Sequence, residues 1–123
     1  MYNFCYHRPN SLNGAIETMA NSLDGQFMAG GQTMIPVMKH HLAMPSDVID
    51  LAAIEELKGI KVSGNHVSIG AITSHATVAN SKTVKKAVPA LAELANTIGD
   101  PHVRNKGTIG GSIAYNDPAA DYP

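Results

Sequence analysis

The stretch Gln26-Phe27-Met28-Ala29-Gly30-Gly31-Gln32-Thr33 carries the clearest indication of the fold. Its apolar first half follows Gly25 and is typical of a short buried strand. The glycine pair lets the backbone approach a ligand, and Thr33 is suited to begin a helix. Residues 29–33, called here the first glycine motif, are therefore a candidate anion-binding segment, because N–H groups at a helix start point outward. The alternative is an ordinary connection between a strand and a helix.

The residues around the first glycine motif predict a small α/β unit. Apolar residues spaced by three and four predict a helix over residues 11–23, with Asn10 or Ser11 as its N-cap. A short second helix is predicted from Thr33, with Pro36 in its first turn. With strands at residues 3–6, 26–29 and 46–51, the predicted order is strand–helix–strand–helix–strand.

The pattern changes after Ala53, and this change is the predicted domain boundary. Apolar and polar residues alternate on both sides of Ser63-Gly64-Asn65, which predicts a β-hairpin. Helices are predicted over residues 73–79 and 89–98. Residues 99–123 are rich in glycine and proline, so we expect a mostly irregular path there.

Composition excludes several classes of protein. The 123 residues are 44% hydrophobic and 15% charged, which suits one ordinary domain with a buried core. A net charge of -1 without a basic cluster disfavours nucleic-acid binding. The single cysteine, Cys5, cannot form a disulfide within the chain, and no apolar run is long enough to cross a bilayer. We therefore expect a cytoplasmic protein with no transmembrane segment.

A second glycine motif, residues 107–112, has the sequence Gly107-Thr108-Ile109-Gly110-Gly111-Ser112. We expect a loop of the same character as the first motif, in which backbone N–H groups could bind the other side of a dinucleotide diphosphate. The alternative is a tight pair of β-turns. Neither motif matches G-x-G-x-x-G, and the chain contains no P-loop sequence, which disfavours Rossmann and P-loop folds.

Two aspartates near the end of the sequence are candidate polar groups. Asp117 precedes Pro118 and is predicted to cap a helical turn. Asp121 lies about one helical turn further on, where it could accept hydrogen bonds from hydroxyls or a ring nitrogen of a ligand. A solvated surface aspartate is the alternative for Asp121.

Other chemistry finds little support in the sequence. The six histidines show no H-x-x-x-H spacing and have no companion cysteines, so no protein-bound metal is predicted. His40 and His41 are expected on different sides of a helix, and Cys5 is expected to be buried and inert. A G-x-S-x-G nucleophile elbow is absent, which leaves hydrolysis unsupported.

Taken together and in this order, several segments resemble a known family. These segments are Tyr6-His7-Arg8-Pro9, residues 29–39, Ile69-Gly70-Ala71-Ile72-Thr73, residues 100–105, the second glycine motif and Asp117-Pro118-Ala119-Ala120-Asp121. They resemble the FAD-binding medium subunit of molybdenum hydroxylases of the carbon monoxide dehydrogenase and xanthine dehydrogenase type. The resemblance spans nearly the whole chain.

The resemblance implies an α+β fold of the vanillyl-alcohol-oxidase (PCMH) type, with FAD bound between two lobes. Residues 1–53 would form the small α/β FAD-binding lobe. Residues 54–123 would form the N-terminal part of a second α+β FAD-binding lobe. Because members of the family are much longer, the resemblance also implies an N-terminal fragment.

The resemblance also implies the site residues. The expected cofactor-binding residues are Ala29, Gly30, Gly31, Gln32, Thr33, Thr108, Ile109, Gly110, Gly111, Ser112 and Asp121. Both glycine motifs would bind the FAD diphosphate, and no catalytic residue or protein-bound metal is expected. The family often has histidine or threonine followed by serine or aspartate at Gln32-Thr33, which should change side-chain hydrogen bonds more than the backbone.

The implied function is that of an oxidoreductase subunit. In the family, the substrate is oxidised at a molybdenum–pterin centre on a large subunit, and electrons pass through 2Fe–2S clusters on a small subunit to FAD. The flavin then reduces an external acceptor such as NAD or a quinone. Two alternatives stay open: a non-redox module that binds another diphosphate ligand, and an assembly module that does not hold FAD on its own.

Overall fold

A computed structural model describes residues 1–122 of the chain. The chain divides into two compact units, one from Met1 to Glu56 and one beginning at Leu57. The first unit thus ends at Glu56, close to the change in sequence pattern after Ala53.

The first unit contains a three-stranded parallel sheet. Its elements are β1 (Cys5–His7), α1 (Leu12–Ala20), β2 (Gly25–Met28), α2 (Met34–Lys39) and β3 (Asp47–Asp50), followed by short 3₁₀ turns at Leu51–Ala53 and Glu55–Leu57. The predicted strand–helix–strand–helix–strand order is confirmed.

The central strand of this sheet is β3, between β1 and β2. Val48 and Ile49 of β3 are fully buried, as a parallel strand covered on both faces requires. Because all three strands are parallel, their carboxyl ends lie at one edge of the sheet. Ligands of open α/β sheets bind at this kind of edge.

Helix α1 begins where predicted and ends earlier. The Ser11 hydroxyl accepts a hydrogen bond from Gly14 N–H, which makes Ser11 the N-cap. The predicted helix extended to Leu23, but the helix stops at Ala20. The reason lies in Asn21 and Ser22, whose side chains donate to helix carbonyls and so end the helix.

The second unit combines a β-hairpin with five helices among the residues described. Its elements are β4 (Ile60–Ser63), β5 (His66–Ile69), α3 (His75–Asn80), α4 (Lys82–Ala87), α5 (Pro89–Thr97), α6 (Pro101–Lys106) and α7 (Ile109–Tyr115). The predicted hairpin is confirmed, with Val62 opposite Val67. Its residues Ile60, Val67 and Ile69 pack against a helical core of Val78, Ala79, Val84, Ala92 and Ala95.

The prediction of an irregular path after residue 99 is wrong, because two helices lie there. Asp100 caps α6: its Oδ1 accepts hydrogen bonds from His102 N–H at 2.7 Å and Val103 N–H at 2.9 Å. Pro101 occupies the first helical position, where proline is favoured rather than disruptive. Helix α4 was not predicted either. It is short, and Val84 is its fully buried residue.

Two local expectations in the first unit are also wrong. Cys5 is exposed rather than buried, because β1 is an edge strand. His40 and His41 do not lie on opposite sides of a helix, since α2 ends at Lys39 and His41 has a φ of 58°. The Nε2 atom of His41 instead lies 2.6 Å from the N-terminal amine of Met1.

Candidate cofactor-binding site

The first glycine motif begins at the carboxyl end of β2, at the edge where the parallel strands end. Gly31 is buried and has a φ of +70°, a conformation that favours glycine. A Cβ atom there would lie 2.7 Å from the Cδ1 atom of Ile35. Glycine at this position therefore serves both the backbone conformation and the packing against α2.

The N–H groups of the first glycine motif are available to a ligand. Gly31 and Thr33 use their carbonyl groups to accept hydrogen bonds from the first residues of α2. Within residues 1–122, the N–H groups of Gly31, Gln32 and Thr33 donate to no protein acceptor. The Thr33 hydroxyl does not cap the helix, and Gln32 and Thr33 are exposed. Unbonded donors at a glycine turn provide the chemistry that binds a phosphate oxygen.

A buried carboxylate connects the strand ends at the same edge. Asp50, the last residue of β3, lies opposite Met28 in the sheet register. One of its oxygens accepts a hydrogen bond from the Tyr6 hydroxyl, and the other accepts from Ala52 N–H at 2.8 Å. The hydrogen bond to Asp50 raises the pKa of Tyr6. Sequence analysis missed Asp50, although an aspartate that ends an apolar strand is a usable signal.

The second glycine motif is not a loop of the same kind. Residues Ile109, Gly110, Gly111 and Ser112 are helical, and Thr108 is the N-cap of α7. The Thr108 hydroxyl accepts from Gly111 N–H at 3.1 Å. The expected loop and the alternative of paired β-turns are both wrong, because the threonine cap and the packing described below outweigh the low helix propensity of glycine.

Most N–H groups of the second motif are already bonded within the protein. Ile109 N–H donates to the Thr73 carbonyl at 3.3 Å, and Gly110 N–H donates to the Ala71 carbonyl at 2.9 Å. Among the described residues, the N–H of Thr108 has no protein acceptor. Among the described residues, N–H groups without a protein acceptor therefore lie at residues 31–33 in the first motif and at Thr108 alone in the second.

Close packing explains two glycines of the second motif, Gly107 and Gly110. A Cβ atom on Gly110 would lie 2.4 Å from the carbonyl oxygen of Ala71. A Cβ atom on Gly107 would lie 2.8 Å from the His75 ring. Gly70 is equally confined, with the Leu57 carbonyl oxygen 2.3 Å from its ideal Cβ position. The segment Ile69-Gly70-Ala71-Ile72-Thr73 is thus the backbone surface on which α7 begins.

The residues after α7 form a turn. Asp117 caps it as predicted: its Oδ1 accepts from Ala119 N–H at 2.9 Å, and its carbonyl accepts from Ala120 N–H. Asp121 is exposed. The next residue, Tyr122, has its hydroxyl 3.0 Å from the Nδ1 atom of His75.

Burial shifts the pKa of both partners of the His75–Tyr122 pair toward the neutral form. The His75 side chain is 5% exposed, and burial lowers its pKa although the nearby Asp121 carboxylate opposes this shift. Burial, together with Asp121, raises the pKa of Tyr122 to about 12. Burial therefore favours the uncharged forms of the two side chains that share this hydrogen bond.

The part of the chain that the structure describes shows no candidate metal cluster and no candidate membrane-spanning helix. Its histidines, cysteines and carboxylates include no group of three or more that could hold a metal ion. None of its helices is both long and apolar enough to cross a membrane.

Comparison with known proteins identifies the family. Residues 2–123 match the family model described as the FAD binding domain in molybdopterin dehydrogenase. The chain is 42% identical over 121 residues to the carbon monoxide dehydrogenase medium chain of Hydrogenophaga pseudoflava, covering 98% of this chain and 42% of that protein. It is 39% identical over 118 residues to the nicotine 6-hydroxylase medium subunit of Paenarthrobacter nicotinovorans, covering 96% of this chain and 42% of that protein.

Solved structures share the fold. A carbon monoxide dehydrogenase from Hydrogenophaga pseudoflava, which lacks the Mo-pyranopterin moiety of its molybdenum cofactor, matches with a TM-score of 0.93 and 42% identity over 95% of this chain and 41% of that one. Quinoline 2-oxidoreductase from Pseudomonas putida 86 matches with a TM-score of 0.93 and 36% identity over 97% of this chain and 42% of that one. The chain thus spans about two-fifths of the length of these relatives.

The residues of the first glycine motif fit an FAD diphosphate. A diphosphate needs several hydrogen-bond donors, and the unbonded N–H groups and the exposed Thr33 hydroxyl are such donors. The predicted α+β fold and the predicted family are confirmed by the family match and by the solved structures. The chain belongs to the family of FAD-binding domains in molybdopterin dehydrogenases.

Proposed function

We propose that this chain binds FAD in the flavin subunit of a molybdenum-containing dehydrogenase. The proposed cofactor-binding residues are those expected from the sequence: Ala29, Gly30, Gly31, Gln32, Thr33, Thr108, Ile109, Gly110, Gly111, Ser112 and Asp121. The observation that carries the proposal is the run of unbonded N–H groups at Gly31, Gln32 and Thr33, at the carboxyl edge of a parallel sheet.

The two motifs take different parts in this proposal. The first motif donates hydrogen bonds from its backbone to the diphosphate. The second motif contributes Thr108 N–H, while Gly110 allows the start of α7 to pack closely against Ala71. Asp121 accepts hydrogen bonds from cofactor hydroxyls or a ring nitrogen. None of these residues needs to act as a general acid or base.

We propose an electron relay as the role of the subunit. When bound, FAD supplies the redox chemistry, receiving electrons from iron–sulfur clusters and passing them to an acceptor such as NAD or a quinone. The partners would be an iron–sulfur small subunit and a molybdopterin large subunit, on which the substrate is oxidised. The names of two relatives, a medium chain and a medium subunit, support such an assembly. A cytoplasmic location stays a prediction.

A pair of glycine variants tests FAD binding. Gly31 and Gly64 both have positive φ, +70° and +57°, so alanine at either costs about 1 kcal/mol in backbone strain. We expect the full chain carrying Gly31→Ala to lose bound FAD, because the turn that presents the N–H groups is displaced. Gly64→Ala, with nothing within 4 Å of its Cβ position, should keep it. Flavin absorbance after gel filtration is the measurement.

Equal FAD retention by Gly31→Ala and Gly64→Ala would contradict the proposal. Titration of the FAD-free protein with FAD and with ADP separates it from the non-redox alternative. We expect FAD to bind tightly and ADP weakly. Tight ADP binding without a preference for FAD would favour a module for another diphosphate ligand. A protein that binds neither would favour an assembly role.

A further inference from the structure

His75 is a buried polar residue that belongs to neither glycine motif. It begins α3, and its side chain is 5% exposed. The Nδ1 atom lies 3.0 Å from the Tyr122 hydroxyl, and the two rings lie 5.3 Å apart between centroids, tilted by 40°. Another edge of the imidazole faces Gly107, where a Cβ atom would lie 2.8 Å from Cδ2. One side chain therefore contacts both the second glycine motif and the residue after Asp121.

The backbone of His75 is fixed to the same motif. Its N–H donates to the Gly107 carbonyl at 3.0 Å, and Ser74 and Thr108 form a β-bridge. The imidazole thus sits on a backbone that cannot shift without moving the start of α7. His75 can therefore hold its hydrogen-bond partner, the Tyr122 hydroxyl, in a defined position.

The turn that carries Asp121 has few other connections. The hydrogen bonds of Asp117 stay within the turn, to Ala119 and Ala120. Among residues 1–122, the His75–Tyr122 bond is the one hydrogen bond that joins residues 117–122 to another element. An exposed carboxylate on a weakly connected turn would have to be ordered when a ligand binds, and that ordering lowers affinity.

We propose that His75 is a positioning residue for the cofactor: through the Tyr122 hydroxyl it holds Asp121 in place. This inference rests on the proposed function, which assigns Asp121 and the motif to FAD. His75 itself does not contact the cofactor in this proposal. Its effect on FAD passes through Tyr122 and the backbone of Asp121.

Two variants of the full chain test the contact. Tyr122→Phe keeps the ring and removes the hydroxyl, and we expect its dissociation constant for FAD to rise about fivefold, as for loss of one neutral hydrogen bond. His75→Leu should show at least the same loss. His75→Asn should restore most of the affinity, because its amide can occupy the place of Nδ1. Flavin fluorescence titration gives the affinity, and thermal unfolding without FAD gives the stability.

A double-mutant cycle separates positioning from a purely structural role. If Tyr122 acts through Asp121, Tyr122→Phe should weaken FAD binding in the wild-type background and have no further effect in an Asp121→Asn background. Additive effects on affinity would overturn the inference. So would a Tyr122→Phe variant that loses thermal stability while its FAD affinity stays unchanged.

The same FAD-binding measurements separate a failure of this inference from a failure of the proposed function. If the wild-type chain binds FAD and Gly31→Ala does not, while Tyr122→Phe binds as tightly as wild type, only the role of His75 is overturned. If the wild-type chain itself fails to bind FAD, the proposed function and this inference are both overturned.

Discussion

The two glycine motifs are similar in sequence and different in structure. In the first, Gly31 is required by its φ of +70°, and the surrounding N–H groups have no acceptor among the described residues. In the second, Gly110 is required because Ala71 leaves no room for a Cβ atom, and the N–H groups of Ile109 and Gly110 are bonded to nearby carbonyls. Glycine next to hydroxyl residues therefore indicates either an open donor site or a close backbone contact.

If the chain binds FAD as proposed, this difference decides how many hydrogen bonds each motif can donate to the diphosphate. The first motif can donate several hydrogen bonds to a diphosphate without breaking any within the protein. Most N–H donors of the second motif are already bonded within the protein, so this motif offers fewer hydrogen bonds to a ligand than the first. Affinity for the diphosphate should accordingly depend more on the first motif, and stability more on the second.

The largest stability effect is expected from Gly110→Ala. Its Cβ atom would lie 2.4 Å from the Ala71 carbonyl oxygen, and backbone atoms cannot move aside cheaply. We expect the free energy of unfolding to fall by about 2–3 kcal/mol, the upper part of the roughly 1–3 kcal/mol typical of overpacking a filled site. Urea unfolding measures it. Gly14→Ala in α1 is the control, since its Cβ would meet the Ser11 hydroxyl at 3.2 Å and its change should stay within about 1 kcal/mol.

An equal decrease in the free energy of unfolding for Gly110→Ala and Gly14→Ala would show that the second motif is not closely packed. The two glycine motifs would then not differ in how closely their glycines are packed.

A smaller effect is expected at the helix caps of the two motifs. Thr108 accepts a capping hydrogen bond from Gly111 N–H, whereas Thr33 makes no side-chain cap bond. Thr108→Ala should therefore lower the free energy of unfolding by about 1 kcal/mol, and Thr33→Ala should leave it nearly unchanged. Thermal or urea unfolding of both variants checks this. An equal loss in both would mean that Thr33 is also a cap.

The smallest effect should appear in the pH dependence of the second unit. Burial lowers the pKa of His75 in the folded state, so below about pH 6.5 the unfolded chain binds more protons than the folded one. The stability from neutral His75 is therefore complete above that pH and is lost as the pH falls. His75→Asn should weaken this dependence. Unfolding at about pH 7.5 and about pH 5.5 measures it.

His66→Asn is the matched control for this pH dependence, because His66 is exposed in β5. It should leave the slope of stability against pH as in the wild type. An unchanged slope in His75→Asn would contradict the assignment to His75.

Much of the fold could be predicted from local signals. The alternating residues around Ser63-Gly64-Asn65 predict the hairpin, and of the two N-cap candidates Asn10 and Ser11 the structure shows Ser11. Local signals do not predict the helices α6 and α7, because clustered glycine and proline residues are typical of irregular structure. Pro101 and Thr108 instead begin helices, since proline and threonine suit the first helical position and the N-cap.

Local signals in the sequence also predict one part of the candidate site and not the rest. The first glycine motif could be recognised because its strand, turn and helix are adjacent in the chain. Asp50 was missed because its partners, Tyr6 and Ala52, are brought to it partly by the sheet rather than by the sequence around it. The connection of His75 with Tyr122 joins residues far apart in the chain, and no local pattern indicated it.

The sequence by itself determined the family, the order of elements in the first unit and the location of the two glycine motifs. Which backbone N–H groups remain free was decided only by the tertiary structure. The physical reason is that an N–H group is satisfied by whichever acceptor the fold brings within about 3 Å. For Gly110 that acceptor is the carbonyl of Ala71, and among the described residues Gly31 has none.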